Sequence, residues 1–427
     1  MERASARVQE LCQQMGETVQ VFPALGVAIG FRVARAELQT AHKLGDHFLR
    51  LAQKDHDPAL LLAAHQVLGS TLFHLGKFTA ARAHLEQGVV LYDPLQHSSL
   101  AFLYGHDPEV LCRSYGALVL WELGFCDQAL QRGYEALTLA QELTHPYSLA
   151  TAGDLLAMVH QFRGEAAMAH ERVRAVIALS SEQGFPYWLA WGTFLRGWAL
   201  AEQGHVKEGL AQMHQGLTTY RVMGTKIGEP YWLALLAEAY GKAGQFEEGL
   251  RVLDEALVTV EKSGERWWEA ELYRLKGQLP LQAQTSPGQV RNKSKISHGQ
   301  GEAQSAIPNT QHPTPSTHAA AEAEACFHQA IAIAHQQSAK SLELRATVSL
   351  ARLWQQQGKQ REARQMLAYV YGWVTEGFAT ADLQEAKALL TILEGQETKR
   401  QGEEKDAKRK TSSSRAISPR TERSHSR

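Results

Sequence analysis

Three glycine–lysine pairs are the residues of this sequence closest in type to a phosphate-binding motif. A P-loop has the pattern Gly-x4-Gly-Lys followed by Ser or Thr, because its backbone amides hold the phosphates and its hydroxyl binds magnesium. In this chain phenylalanine, alanine and glutamine follow the three pairs, which are Gly76-Lys77, Gly241-Lys242 and Gly358-Lys359. The sequence therefore predicts no nucleotide hydrolysis, and it places these pairs at turns between helices.

Metal and nucleophile chemistry also lacks its usual patterns. The 19 histidines form neither an HExxH motif nor a His pair at i, i+4 with a suitable carboxylate. No Gly-x-Ser-x-Gly elbow occurs, and no Ser, His and Asp are arranged to activate a nucleophile. We therefore predict no catalytic centre, no metal and no cofactor. The four cysteines have no CxxC spacing and are predicted to be buried thiols in a reducing compartment: Cys12, Cys112, Cys126 and Cys326.

One polar run, residues 104–108, has two interpretations. It reads Tyr-Gly-His-Asp-Pro, so His106 stands next to Asp107. These two side chains have the chemistry of a ligand contact. An Asp-Pro pair before an apolar run is, however, typical of a helix N-terminus, with the aspartate as its cap and the proline at the first helical position. The helix cap is the favoured interpretation.

A row of aromatic residues recurs along the chain, once in each of several repeated segments. If the segments stack, these rings align along one edge of the array. They then either bind a peptide or a base, or they seal each segment against the next, since buried aromatic rings supply much packing area. Packing is favoured, and the rings remain candidates for partner binding: Tyr147, Tyr187, Trp188, Tyr231, Trp232, Trp267 and Trp268.

The elements that must position these residues come from an internal repeat. An apolar helical segment ends at a turn with Gly or a small residue, and a second helical segment carries Ala or Gly five residues later. The turn residues from 36 to 244 are separated by 40, 48, 40, 40 and 40 residues. Small residues let antiparallel helices approach, and the turn favours a residue that tolerates positive φ. The instances are Ala36 with Ala41, Gly76 with Ala81, Gly124 with Ala129, Gly164 with Ala169, Gly204 with Gly209, Gly244 with Gly249 and Gly358 with Ala363.

The start of each first helix has its own signal, as in the run Phe-Pro-Tyr-Trp at 185–188. Proline suits the first helical position because its φ is preset and no needed hydrogen bond is lost. Together these patterns predict an all-α fold, a right-handed superhelical solenoid of antiparallel helix pairs with a period of about 40 residues. The segment Ala6 to Met15 resembles a second helix without its first, so we expect the array to begin in mid-repeat.

Composition divides the chain into four predicted parts. Residues 1–282 carry helical repeats, and residues 319–395 carry further repeats and a capping helix. Residues 283–318 are rich in Gln, Ser, Thr, Gly and Pro and predict a disordered insertion at an inter-helix turn. Residues 396–427 contain ten basic and five acidic residues and predict a disordered basic tail.

Charge and hydropathy limit the class of partner. The chain has 44 Lys plus Arg against 45 Asp plus Glu, so it lacks the overall positive field that attracts nucleic acid. No stretch of about 18 apolar residues and no signal-peptide core occurs. We expect a soluble, cytoplasmic protein that binds a protein or peptide partner, with no role for a membrane and nucleic acid disfavoured.

The repeat resembles the tetratricopeptide repeat, with small residues at the helix crossing, a turn glycine and the run Ala323, Phe327 and Ala330. The period near 40 exceeds the usual length of that repeat. Longer phrases, such as residues 83–88, 195–200 and 264–273, resemble the C-terminal repeat region of bacterial proteins that fuse a class III nucleotide cyclase and a P-loop ATPase to such repeats. That resemblance implies a region that binds partners and regulates catalytic domains lying outside this chain.

Three functions follow as alternatives: a non-catalytic interaction scaffold, a ligand-sensing regulatory region, and RNA recognition, which the neutral composition disfavours. Replacing Trp188, Trp232 and Trp267 with alanine separates the interpretations of the aromatic row. Loss of partner capture with helicity retained would support a binding groove. Unchanged capture would return the rings to a packing role.

Overall fold

The computed structural model describes residues 21–285 and 317–396, and these residues form helices joined by short turns, without a strand. Sixteen of the helices pair as eight antiparallel hairpins, which we call units 1 to 8. The units are α1 Val21–Ala34 with α2 Leu38–Asp55; α3 Pro58–His74 with α4 Phe78–Leu91; α7 Pro108–Glu122 with α8 Cys126–Glu142; α9 Pro146–Phe162 with α10 Ala166–Gln183; α11 Pro186–Glu202 with α12 Val206–Val222; α13 Glu229–Lys242 with α14 Phe246–Ser263; α15 Glu269–Thr285 with α16 Thr317–Gln337; and α17 Lys340–Gln356 with α18 Gln360–Tyr371. The predicted all-α solenoid of antiparallel helix pairs is confirmed.

Three helices lie outside the hairpins. Two short ones, α5 Pro94–His97 and α6 Leu100–Tyr104, occupy the extra residues between units 2 and 3 and account for the single spacing of 48. The third, α19, spans 381–396 and covers the end of the array. The predicted mid-repeat start at residues 6–15, most of the 283–318 insertion and nearly all of the basic tail lie outside the described residues.

The sequence signals for helix caps and for close helix crossings act as expected in the structure. Asp107 caps α7 by accepting a hydrogen bond from the backbone N–H of Val110 at 2.9 Å, which confirms the favoured interpretation of the 104–108 run. In unit 5 the small residues permit a close crossing of α11 and α12. A Cβ added to Gly209 would lie 2.5 Å from the carbonyl oxygen of Gly197, so no larger residue fits there.

The superhelix is wound so tightly that units five apart touch. The backbone N–H of Lys226, just before α13 of unit 6, donates to the Ala34 carbonyl at the end of α1 at 2.8 Å. The N–H of Arg266, before unit 7, donates to the His74 carbonyl of unit 2 at 2.9 Å. The Ser341 hydroxyl of unit 8 donates to the Trp121 carbonyl of unit 3 at 2.5 Å. Five units therefore complete one turn, and successive turns pack against each other.

Glu265 is a fully buried charged residue of this turn-to-turn contact. Its side chain has 0% exposure, and it accepts hydrogen bonds from the Gly228 N–H at 2.8 Å and from the Trp267 indole N–H at 2.7 Å. The Nδ1 atom of His74, five units earlier, lies 3.3 Å from the same carboxylate. One carboxylate therefore joins units 2, 6 and 7.

We predict that Glu265→Ala lowers the free energy of unfolding by about 3–5 kcal/mol, because it leaves several buried donors without an acceptor. Chemical denaturation followed by circular dichroism measures this. Glu261→Ala is the matched control, since that side chain is 70% exposed and its ion pair with Arg266 should contribute at most about 1 kcal/mol. Equal effects of the two substitutions would contradict the assigned role of Glu265.

Candidate binding cavity on the superhelix axis

The tight winding brings some of the aromatic rings against rings of the previous turn, whereas others, such as Trp232, contact rings of the adjacent unit. The ring of Trp267 lies 4.8 Å from that of Phe73, which belongs to the unit five positions earlier. Trp268 stacks on Phe162 at 5.1 Å, and Tyr231 meets the same phenylalanine edge-on at 6.1 Å. These rings form one apolar core along the axis, so the concave side of the array is packed over much of its length.

The seven aromatic residues singled out from the sequence divide into two groups by exposure. Tyr147 and Tyr187 are partly buried, and Trp188 is 7% exposed. The other four are 0–1% exposed: Tyr231, Trp232, Trp267 and Trp268. A ring with so little exposed area offers no surface to a partner in this conformation. Substituting Trp232 or Trp267 with alanine should therefore disturb the fold before it reports on partner binding.

A cavity of about 230 Å³ remains on the axis where the core ends. Its walls come from the first helices of units 4 to 8 and from α19, so residues more than 200 positions apart in sequence meet there. We call it the axial cavity, and the residues that matter below are Trp198, Glu238, Trp268, Glu271, Arg345 and Ser349. Of these only Trp268 was among the candidates from the sequence.

Arg345 holds the axial cavity together. Its guanidinium donates to the Asp382 carboxylate at 2.7 Å and to the Phe162 carbonyl at 2.6 Å, and it lies over the Trp121 ring at 4.8 Å. Burial lowers the pKa of Arg345, but Asp382 and Glu271 outweigh burial and raise it, so the residue stays charged. One cation thereby joins unit 8 to units 3 and 4 and to α19.

In the described part of the chain, Glu238 has no bonded partner of opposite charge. Among the residues that the structure describes, none forms a hydrogen bond or an ion pair with its carboxylate, although its side chain is partly buried in the wall of the axial cavity. Burial raises the pKa of Glu238, and the positive charges of Lys242 and Arg274 offset this only in part. The cavity therefore contains a carboxylate that would gain from a cation.

Two tryptophans in the wall of the axial cavity also lack partners. Trp198 and Trp268 are 3% and 1% exposed, and their indole N–H groups have no acceptor among the described residues. A buried donor without an acceptor costs roughly 1–3 kcal/mol. The axial cavity thus combines an unpaired acid with two unused hydrogen-bond donors.

Sequence reasoning missed the charged members of the axial cavity because each is unremarkable in its own helix. The one available signal is that charged residues recur in the first helices, whose other positions are mostly apolar, as at Glu122, Glu202, Glu238 and Glu271. Such residues face either the solvent or the superhelix axis, and the repeat period alone does not distinguish the two orientations.

Metal binding, membrane crossing and the cysteine thiols, which the sequence also raised, can be compared with the described residues. Within residues 21–285 and 317–396, no three His, Cys, Asp or Glu side chains are grouped to hold a metal ion. No helix in that part of the chain is both long enough and apolar enough to cross a bilayer. Cys112 and Cys126 are buried and Cys326 is partly buried, whereas Cys12 lies outside the described residues.

Comparison with known proteins places the fold in context. No protein-family model matches the chain. Over 273 residues the chain is 24% identical to the uncharacterized protein R02095 of Rhizobium meliloti (strain 1021), a match that covers 63% of this chain and 26% of that protein. The chain therefore spans about a quarter of the length of that curated relative.

Solved structures with a similar fold share little sequence with the chain. They include the Rap protein complexed with competence and sporulation factor (TM-score 0.49, 12% identity, 85% of this chain and 94% of that one). Yeast Tom70 gives a TM-score of 0.40 at 13% identity over 84% and 59% of the two chains. A signal transduction ATPase with a tetratricopeptide repeat sensor, from Pyrococcus horikoshii, gives 0.39 at 13% identity over 83% and 50%.

A further acid is buried in α9, a helix that contributes to the wall of the axial cavity. Asp154 of α9 has 0% exposure, and neither carboxylate oxygen has a hydrogen-bond partner among the described residues. Burial alone raises the pKa of Asp154 well above its ordinary value. The folded state therefore binds a proton more tightly than the unfolded state, and the stability that this residue contributes is lost as the pH rises through the folded-state pKa.

We predict that Asp154→Asn raises the melting temperature at pH 8 by about 2–4 °C or more, because the neutral amide removes the cost of burying or protonating the acid. The gain should shrink toward pH 4.5, where a larger fraction of unfolded aspartate is already protonated. Thermal denaturation at the two pH values measures the difference. Glu182→Gln, at an exposed position of α10, is the control and should change little at either pH. An Asp154→Asn effect that is the same at both pH values would contradict the buried-acid interpretation.

Proposed function

We propose that the chain is a non-catalytic protein-interaction scaffold that binds a segment of a partner protein at the axial cavity. The observation that carries this proposal is the wall of the axial cavity, which contains the partly buried, unpaired carboxylate of Glu238 and the buried, unpaired indole N–H groups of Trp198 and Trp268. Buried polar groups are nearly always paired in folded proteins, so a site with several unpaired groups is suited to a ligand that supplies the partners.

The size of the axial cavity indicates which part of a partner enters it. Pockets for drug-sized ligands enclose roughly 300–1,000 Å³, and this one encloses about 230 Å³. A whole helix does not fit, whereas a single long side chain does. The rest of the bound segment would then lie at the mouth of the cavity, between units 5 to 8 and α19.

Nucleic acid suits the axial cavity poorly. Its wall holds three guanidinium groups, of Arg274, Arg345 and Arg352. It also holds five carboxylates, of Glu202, Glu238, Glu271, Asp382 and Glu385. Excess negative charge repels phosphates, and binding of RNA or DNA depends chiefly on phosphate contacts.

The scaffold is proposed to regulate a signalling ATPase or nucleotide cyclase that lies outside this chain. The support for this role is the set of phrases, such as residues 264–273, that resemble the repeat region of such fusion proteins. Because Arg345 joins four parts of the array, a ligand that alters its contacts would change how the turns pack. A ligand-sensing region is the alternative, with a small molecule in the axial cavity in place of a protein segment.

We predict that Ser349→Phe, which fills the axial cavity, abolishes selection of peptides from a random display library by the full chain. Ser349 is partly exposed in the cavity wall, so the added ring occupies the space in place of the ligand. Thr218→Phe, at an exposed position of α12, is the matched control and should leave selection intact. Circular dichroism checks that both variants fold. Peptides selected equally well by wild type and Ser349→Phe would rule out the axial cavity as the binding site.

A further inference from the structure

The ion pairs around the axial cavity leave one acid unpaired. Glu271 pairs with Arg274 at 2.6 Å, Asp382 with Arg345 at 2.7 Å and Glu385 with Arg352 at 2.9 Å. Glu202 is paired with Lys242. Of the five carboxylates in the wall, only Glu238 has no cation bonded to it among the described residues.

We propose that the axial cavity receives the cationic side chain of a lysine or arginine, with Glu238 as its counter-ion. This inference rests on the proposed function and names the chemistry of the bound segment. A cation beside Glu238 would complete the pattern in which every acid of the wall has a basic partner. It would also offset the cost of keeping an unpaired carboxyl group partly buried.

The tryptophans of the wall fit the same ligand. Trp198 and Trp268 both line the axial cavity, where their edges add apolar wall against which the methylene groups of a lysine or arginine side chain pack. A basic side chain therefore supplies the positive charge that Glu238 lacks together with an aliphatic part that suits the tryptophan edges, whereas a free metal ion supplies only the charge.

Such a side chain has two sources, a separate protein or this chain itself. The sequence after α19 is rich in basic residues, including Lys408, Arg409 and Lys410, and α19 contributes Asp382 and Glu385 to the wall. The helix from Asp382 to its end is about 21 Å long at 1.5 Å per residue. The twelve residues that follow can span up to roughly 40 Å, so the three basic residues are within reach of the cavity.

The experiment titrates the full chain, labelled with 5-fluorotryptophan, with the peptide Gly-Ala-Lys-Ala-Gly-amide and with its norleucine counterpart. Norleucine keeps the four-carbon chain of lysine and removes its ammonium group. Fluorine resonances of Trp198 and Trp268, assigned by single Trp→Phe variants, report occupancy. We expect saturable shifts with the lysine peptide, affinity at least about tenfold lower with norleucine, and a similar loss for the lysine peptide in Glu238→Gln. Glu248→Gln, at an exposed position of α14, is the control and should bind as wild type does.

Equal binding of the two peptides, or an unchanged affinity in folded Glu238→Gln, would overturn the inference. If the cation test fails in this way but Ser349→Phe still abolishes selection of displayed peptides, the scaffold function stands and only the cation assignment is wrong. If Ser349→Phe selects displayed peptides as well as wild type does, the proposed function itself is wrong.

A second arm identifies the source of the cation. The full chain with Lys408→Gln, Arg409→Gln and Lys410→Gln is titrated with the same lysine peptide. A rise in affinity relative to wild type would show that the chain's own basic residues compete for the axial cavity. An unchanged affinity, with tenfold selectivity over norleucine retained, would assign the cation to a separate molecule.

Discussion

The carbonyl groups at the C-terminal ends of the first helices set the constraint on which the rest of the structure depends. The last turn of any α-helix leaves carbonyls without an intrahelical partner. Here the carbonyls of Ala34, His74 and Trp121 receive donors from units five positions later, and that of Phe162 receives the Arg345 guanidinium. These bonds fix the winding at five units per turn, and the winding in turn buries the aromatic rings and leaves the axial cavity.

Much of the fold could be predicted from the sequence because its determinants are local. Turn glycines, small residues five positions later and prolines at helix starts each act within one unit, so the helices and their pairing followed from spacing alone. The winding could not be predicted in this way. The Ser341 hydroxyl and the Trp121 carbonyl that it meets are 220 residues apart, and nothing in either unit marks the other as its partner.

The same limit explains the outcome for the candidate site. A repeated aromatic position indicates that Trp232, Trp267 and their equivalents share an edge of the array, but it does not say whether that edge faces solvent or the next turn. The charge of Glu238 within a mostly apolar first helix did not identify a site, since one charged residue on a helix is ordinary until its neighbours are known. The unpaired groups of the axial cavity lower stability, and such local losses are typical of sites selected for binding.

Most helical-repeat proteins change length by gaining or losing whole repeats, because each repeat contacts only its neighbours. The five-unit contacts remove that freedom from this chain. A duplicated hairpin between units 2 and 7 would displace the Arg266 N–H from the His74 carbonyl. It would also separate Glu265 from the His74 side chain. The number of hairpins between bonded units is therefore constrained by these contacts, and change within that part of the array is restricted to substitutions and to insertions at turns, such as the one that carries α5 and α6.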